Sequence, residues 1–259
     1  CTDVNTLCNG MNSIPQHPDG IVGTETSTDS TASTVELVSA RKHVTVIFAD
    51  ISGFTAMSEK LDPEEVSNMM NDCLTQMADI VTGYQGYVDK FIGDCIMALF
   101  GAPVAHENDA ELAVRAALDM NQAIIDYNQN LSIKLEKPLT LHTGVNTGLV
   151  VAGNVGSGQK LEYTVMGDTV NLASRLESTA SSGQIFISKY THNLVKGIFN
   201  FAAHDPIQVK GKKDPIQVYE VLGLRSAKER RSDLVALSAK ELVGRDREMD
   251  IIKKRIDQA

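Results

Sequence analysis

Two aspartates lie next to predicted buried strands, in positions that suit carboxylate ligands of a metal ion. Asp50 ends the mostly apolar run Val44–Ala49, and a short glycine-containing turn follows it. Asp94 lies in a Gly93-Asp94 turn between two further predicted strands. Carboxylate oxygens are ligands that suit Mg²⁺ or Mn²⁺, so the pair predicts a divalent-metal site. Each aspartate alone is equally compatible with an ordinary strand end or turn.

The residues after Asp50 form a turn that suits a phosphate. The segment reads Ile-Ser-Gly-Phe-Thr and joins a predicted strand to the start of a helix. Backbone N–H groups at a helix start lack intrahelical partners, and the helix dipole favours negative charge there. Four residues are therefore candidate phosphate contacts: Ser52, Gly53, Phe54 and Thr55.

Cationic and amide side chains at three other places suit an anionic ligand. Lys90 lies in a mostly apolar strand, where a lysine either extends its charge to solvent or recognises a specific group. Asn171 and Arg175 are four residues apart in a predicted helix, so they share a face and can clamp phosphate and ribose oxygens. Arg175 would equally suit a surface salt bridge. Lys210 belongs to a basic glycine turn, which is either solvated or reaches a terminal phosphate.

The composition limits the classes of function. The chain has 259 residues, 42% hydrophobic and 22% charged, as expected of a globular catalytic domain with appendages. The net charge of -9 argues against nucleic acid as a partner. No run of 18 apolar residues and no secretory signal is present, so we expect no membrane span and a cytoplasmic protein. Cys73 and Cys95 lie in apolar patterns and are expected in the core, in a reducing compartment.

Alternating strands and helices must position these residues. Asp62, Pro63 and Glu65 indicate a helix start. A stripe at helical spacing follows it and predicts a face packed on the core: Val66, Met69, Met70, Cys73, Met77 and Ile80. The later segments are predicted as two strands in Tyr87–Pro103, a helix from about Glu107 to Leu131, a strand ending in a turn over Leu139–Gly148, a hairpin over Leu149–Met166, a helix from Gly167 and a strand over Gln184–Ser188. The glycine-rich run Gly153–Lys160 is not a P-loop, because Leu161 follows its lysine and no strand-to-helix context fits.

Four motifs make the segment from Arg41 to Leu224 resemble the catalytic domain of the class III nucleotidyl cyclases, of the bacterial and soluble adenylyl cyclase type. In chain order they are FADISGFT, DKFIGDCIMALFG, GDTVNLASRLES and VKGKKDPIQVYEV. The resemblance implies an α+β fold with a ferredoxin-like βαββαβ core and an added hairpin. The order of the predicted elements agrees with it.

The resemblance also implies a role for each candidate residue. Asp50, Asp94 and the carbonyl group of Ile51 match the ligands of two divalent metal ions, Mg²⁺ or Mn²⁺. Lys90 and Thr164 match the pair that selects the purine. The other matches are Asn171 and Arg175 for the transition state, and Lys210 for the distal phosphates, or Lys212 if the register differs by two.

The activity implied is conversion of ATP to 3',5'-cyclic AMP and pyrophosphate, by attack of the ribose 3'-hydroxyl on the α-phosphorus. In the family two domains pack head to tail and share each active site, so we expect a homodimer. Membrane-bound relatives carry Asp at the position of Thr164, whereas the Thr form is typical of the subclass with bicarbonate-responsive enzymes, which makes bicarbonate a candidate effector. Two alternatives stay open: a guanylyl cyclase, and a regulatory domain that binds nucleotide without turnover. Since every catalytic position is filled, the second is disfavoured.

The organisation along the chain follows from composition and from the same resemblance. Residues 1–40 are poor in large apolar side chains and are predicted to be a flexible leader, with Cys1 and Cys8 a weak sign of an upstream metal-binding module. Residues 41–224 are the predicted catalytic domain, and 225–240 a charged linker. Residues 241–259 resemble the opening of an AAA-type ATPase domain, so we expect the polypeptide to continue into a regulatory module.

Overall fold

The computed structural model describes residues 39–54, 57, 61–131, 135, 137–157, 160–208 and 214–226, with isolated positions between 248 and 255. Thr55, Lys210 and Lys212 lie outside the described residues, as do residues 1–38 of the leader and nearly all of the predicted linker and ATPase-like segment. The described residues form eight strands and four helices: β1 (Ala40–Ser52), α1 (Pro63–Gly83), β2 (Tyr87–Ile92), β3 (Cys95–Phe100), α2 (Asp109–Asn130), β4 (Thr140–Ser157), β5 (Lys160–Met166), α3 (Asp168–Thr179), β6 (Ile185–Ser188), α4 (Lys189–Val195), β7 (Phe199–Ala203) and β8 (Val218–Leu224).

The strands form one mixed sheet in the order β2-β3-β1-β4-β6-β8-β7, and β5 pairs with β4 beside this path. The segment from β1 to β4 runs strand, helix, strand, strand, helix, strand, and β4 with β5 supplies the hairpin. The predicted βαββαβ core with an added hairpin is therefore confirmed. Among the described helices, none is both long and apolar enough to cross a membrane.

Strand β1 lies at the centre of the core, between β3 and β4, and is antiparallel to both. Its side chains alternate between faces, as in any strand. Ile47, Ala49 and Ile51 pack on the side of α1 and α2, whereas Val46 and Phe48 pack on the side of α3. Because both faces are covered, β1 has the nearly continuous apolar sequence that marks it in the chain.

Helix α1 forms as its sequence predicts. The side chain of Asp62 accepts a hydrogen bond from the backbone N–H of Glu64 (2.9 Å), and Pro63 occupies the first turn. Four members of the predicted stripe are buried, namely Val66, Met69, Cys73 and Met77, whereas Met70 and Ile80 are half-buried. Burial raises the pKa of the Cys73 thiol to about 12, so this thiol stays protonated in the core.

Strand β4 departs from the sequence prediction. The chain does not turn at Gly148 but continues as one strand to Ser157, paired with the whole length of β1. Gly148 lies where α3 approaches the strand, since a Cβ atom there would stand 2.6 Å from the Thr169 hydroxyl oxygen. The glycine provides room for the helix rather than a turn.

Candidate functional site

The registers of β1 bring Asp50 and Asp94 together. Asp50 pairs with Cys95, the residue after Asp94, and the backbone N–H of Ile51 donates to the Asp94 carbonyl group (3.3 Å). The turn between β2 and β3 is tight, with Gly93 at φ +65°, a conformation that favours glycine. Strand β1 and the turn between β2 and β3 thus deliver one carboxylate each to the same place.

The charge of this carboxylate pair suits a divalent cation. Burial raises the pKa of Asp50, and repulsion from Asp94 raises it further, while His142 partly offsets the rise. A divalent cation would relieve the repulsion between the carboxylates, and oxygen ligands are those that Mg²⁺ and Mn²⁺ prefer. The donor set therefore fits the metal ions that the sequence predicts here, with Asp50, Asp94 and the Ile51 carbonyl group as the candidate ligands.

His142 and Glu177 extend the pair on the side of β4. His142 is the partner of Asp50 across β1 and β4. Its Nε2 atom lies 3.3 Å from Asp50 Oδ2, and its Nδ1 atom lies 3.0 Å from Glu177 Oε1. Burial raises the pKa of Glu177, and the neighbouring His142 and Ser178 oppose that rise. The three side chains are close enough for a metal ion, but each ring nitrogen already faces a carboxylate, which is the geometry of a hydrogen-bonded chain.

Lys90 and Thr164 meet at a third residue, Asp89. The Lys90 ammonium lies 3.2 Å from Asp89 Oδ2, and the Thr164 hydroxyl donates to the same oxygen at 3.0 Å. Thr164 comes from β5 and Lys90 from β2, so the β4–β5 hairpin leans onto the edge of the sheet. Tyr87 and Tyr163 pack edge to face beside them, with ring centroids 6.1 Å apart. The two predicted base-selecting residues are thus neighbours within one chain.

Asn171 and Arg175 lie one turn apart on α3, as their spacing predicts. Asn171 is exposed and Arg175 is half-buried. Within the described part of the chain, no carboxylate forms an ion pair with the Arg175 guanidinium, and neither side chain forms a hydrogen bond or ion pair with Asp50 or Asp94. At about 100° per residue, Arg175 lies roughly 200° around the helix from Glu177, which faces the sheet. Arg175 therefore projects away from the carboxylate pair of its own chain.

The predicted phosphate turn is described as far as Phe54. Ser52 ends β1, Gly53 has φ +117°, and Phe54 is buried in the core next to α1. The Phe54 side chain anchors the turn, so only its backbone is placed to meet a phosphate. Thr55 and Lys210, the remaining predicted contacts, are not among the described positions.

Three residues of the site escaped sequence reasoning: Asp89, His142 and Glu177. Asp89 adjoins Lys90 as a second charge in a strand, and Glu177 lies four residues after Ala173 on the apolar stripe of α3. A charge on a face that must be buried was the available signal for both. His142 carried no such signal, since only the register of β1 and β4 places it opposite Asp50.

Comparisons of the sequence and of the fold with known proteins point to the same family. Residues 37–223 match the family described as the adenylate and guanylate cyclase catalytic domain. Adenylate cyclase 1 of Rhizobium meliloti (strain 1021) is 33% identical over 192 residues, which cover 71% of this chain and 28% of that protein. The chain thus spans less than a third of the length of this curated relative.

Solved structures of both substrate types resemble the fold. The adenylyl cyclase CyaB from P. aeruginosa has a TM-score of 0.71 at 39% identity, covering 73% of this chain and 98% of the other. The guanylyl cyclase Cya2 has a TM-score of 0.68, also at 39% identity, covering 73% and 95%. Since the family profile matches well over half of the sequence, the chain belongs to the adenylate and guanylate cyclase catalytic domain family.

Proposed function

We propose that this domain is an adenylyl cyclase, which converts ATP to 3',5'-cyclic AMP and pyrophosphate. The observation that carries the choice of ATP is the meeting of the Lys90 ammonium and the Thr164 hydroxyl at one carboxylate. The adenine edge offers an acceptor at N1 and a donor at N6, and the guanine edge reverses both. Lys90 can donate to N1 but has no lone pair for the N1–H of guanine. A hydroxyl that donates to Asp89 can accept from N6.

The carboxylate pair forms the metal half of the proposed site. Asp50, Asp94 and the Ile51 carbonyl group would hold two divalent ions, Mg²⁺ or Mn²⁺. When bound, such ions lower the pKa of the ribose 3'-hydroxyl and offset the charge of the triphosphate. The backbone of Ser52, Gly53 and Phe54, with Thr55, supports the phosphates.

Asn171 and Arg175 form the half that acts on the transition state. Negative charge grows on the α-phosphoryl oxygens and on the leaving oxygen as the ribose attacks. The Arg175 guanidinium is the counter-charge, and a positioned arginine is worth about 10³–10⁵ in the rate of phosphoryl-transfer enzymes. Asn171 orients the ribose, and Lys210 binds the distal phosphates.

We infer that two copies of the chain share each site. Arg175 projects away from the carboxylate pair of its own chain, so the arginine of a second copy is the one that reaches the α-phosphate. The hairpin supplies an apolar surface against which that copy can pack. Its side chains are 41–52% exposed: Leu149, Val151, Val155 and Met166. Apolar residues clustered on one exposed face are typical of an interface.

Initial rates with ATP and GTP in Mn²⁺ test the proposal. We expect a preference for ATP of about a hundredfold in kcat/KM, because guanine would leave two polar groups unpaired. The double variant Lys90→Glu with Thr164→Cys should lower ATP turnover and raise GTP turnover. Lys189 is an exposed lysine outside this cluster, so Lys189→Glu should change neither ATP turnover nor GTP turnover.

Two further measurements test the proposed activity. Asp94→Ala should lose turnover of both nucleotides, which ties the activity to this domain rather than to a contaminant. Equal use of ATP and GTP by the unmodified protein would contradict the assignment as an adenylyl cyclase. Bicarbonate is the candidate effector, and adding it to the same assay at constant pH tests whether it raises the rate.

A further inference from the structure

Asp89 is a buried carboxylate whose only described partners are the two base-selecting side chains. Its side chain is fully buried. The Oδ2 atom receives both the Thr164 hydroxyl and the Lys90 ammonium, and among the described residues Oδ1 has no hydrogen-bond partner. A buried carboxylate is costly unless it is paired or hydrogen-bonded. Here that compensation comes from Lys90 and Thr164.

A β-bulge makes this contact possible. The pairing of β2 with β3 shifts between Val88 and Lys90, so Asp89 is an extra residue in β2. Neighbouring residues of a regular strand point to opposite faces, and Asp89 would then point away from Lys90. The bulge re-aims the side chains, so that the Asp89 carboxylate lies beside the ammonium of the next residue.

We propose that Asp89 is a positioning residue that sets base selectivity through Lys90 and Thr164. The inference rests on the proposed function and names the device behind it. Because the Thr164 proton is committed to Asp89, the hydroxyl oxygen can only accept from a base. Because Asp89 holds the Lys90 ammonium beside that oxygen, the pair presents one donor next to one acceptor. This pattern admits the N1 and N6 atoms of adenine and opposes the N1–H and O6 of a 6-oxopurine.

Three nucleotides and two substitutions at Asp89 test the device. Inosine triphosphate carries the 6-oxopurine edge without the 2-amino group. The ratio of kcat/KM for ATP to that for inosine triphosphate therefore reports only on the N1 and C6 edge of the base. GTP is measured for comparison. Asp89→Leu removes the acceptor, which frees the Thr164 proton to donate to O6. We expect this ratio to fall about tenfold or more, the worth of one hydrogen bond, mainly through KM. Asp89→Asn keeps an acceptor oxygen and should hold the ratio within about threefold of the unmodified protein.

A double-mutant cycle separates positioning from a general loss of structure. In a Thr164→Val background the hydroxyl is already absent, so Asp89→Leu should change the ratio much less than it does alone. An unchanged ratio in folded Asp89→Leu would overturn the proposal, and so would an equal fall in the Thr164→Val background.

Folding is followed by thermal unfolding of each variant. If Asp89→Leu does not fold, Asp89→Ala removes the same acceptor and takes its place. Loss of the fold in both would also overturn the proposal, since the carboxylate would then serve the structure itself. A wild-type protein that prefers GTP would instead overturn the proposed function, and the coupling between Asp89 and Thr164 would still be measurable in the same ratio.

Discussion

His142 joins two carboxylates that belong to different elements of the fold. Asp50 lies near the end of β1 and Glu177 lies in α3, and the imidazole bridges them at 3.3 and 3.0 Å. A carboxylate with one oxygen held in this way has a fixed orientation, which would suit the metal ligand proposed for Asp50. Outer partners of this kind commonly change metal affinity by about 10–100-fold when they are removed.

We therefore expect His142→Ala to weaken Mn²⁺ binding about tenfold or more, while the nucleotide KM at saturating Mn²⁺ changes less. Mn²⁺ affinity is measured directly, by titration calorimetry or by the electron paramagnetic resonance signal of the free ion. His106→Ala is the matched control, because His106 also lies beside a carboxylate, Asp109, at 3.2 Å. Equal Mn²⁺ affinities in the two variants would show that His142 does not orient Asp50.

Sequence and structure agree best where chemistry follows from local pattern. Asp50 and Asp94 stand at a strand end and a turn, which the alternation of apolar and polar residues already marks. Lys90 and Thr164 required the resemblance to be paired, since 73 intervening residues separate them in the chain. Asp89 required more, because a bulge cannot be read from the period of a six-residue strand.

At the scale of the elements, the contact between β4 and α3 determines where α3 lies. A Cβ atom at Gly144 would stand 2.2 Å from the Ala173 carbonyl oxygen and 2.2 Å from the Glu177 backbone nitrogen. Both atoms belong to the helix backbone, so a rotamer change cannot relieve the clash. The glycine allows the helix that carries Asn171 and Arg175 to lie directly on the strand that carries His142.

Gly144→Ala should therefore destabilise the protein by about 3 kcal/mol and abolish most of the turnover, because α3 must shift away from β4. Urea unfolding gives the stability, and initial rates give the activity. Gly83→Ala is the control: a Cβ atom there meets nothing within 4 Å, and alanine favours the helix in which it lies. If the two variants were equally stable, the close contact would not constrain the helix.

The same packing of α3 on β4 explains why the turn predicted at Gly148 is wrong. In the sequence alone, Gly148 resembles a turn residue and predicts that the strand ends there. In the fold, Gly144 and Gly148 lie four residues apart along β4, both beneath α3. Glycines required for close packing and glycines required for a turn look alike in one sequence, and only the position of the helix separates them.

At the scale of the whole molecule, the two halves of the proposed site face different directions. The carboxylate pair lies on β1 and on the turn between β2 and β3, while Asn171 and Arg175 lie on the outer side of α3. The βαββαβ order that produces this arrangement was predictable from the period of the segments. Its consequence for assembly was not, because the direction of a helix face relative to a sheet is a tertiary property.

A two-fold arrangement of copies makes a quantitative prediction. Asp94→Ala and Arg175→Ala should each be inactive alone, since each lesion falls in both sites of its own dimer. In a mixed dimer one site collects both lesions and the other collects neither. Random pairing makes about half of the dimers mixed, so activity should return to roughly a quarter of the unmodified level.

The experiment co-expresses the two variants with different affinity tags, and the doubly tagged dimer is purified before the rates are measured. In that pure heterodimer one site of two is intact, so the expected activity rises to roughly half. A heterodimer of Asp94→Ala with an Asp94→Ala, Arg175→Ala double variant is the control, because neither of its sites has an intact carboxylate pair. An inactive heterodimer of the two single variants would show that each chain builds its site alone, and the arginine on the outer side of α3 would then need another role.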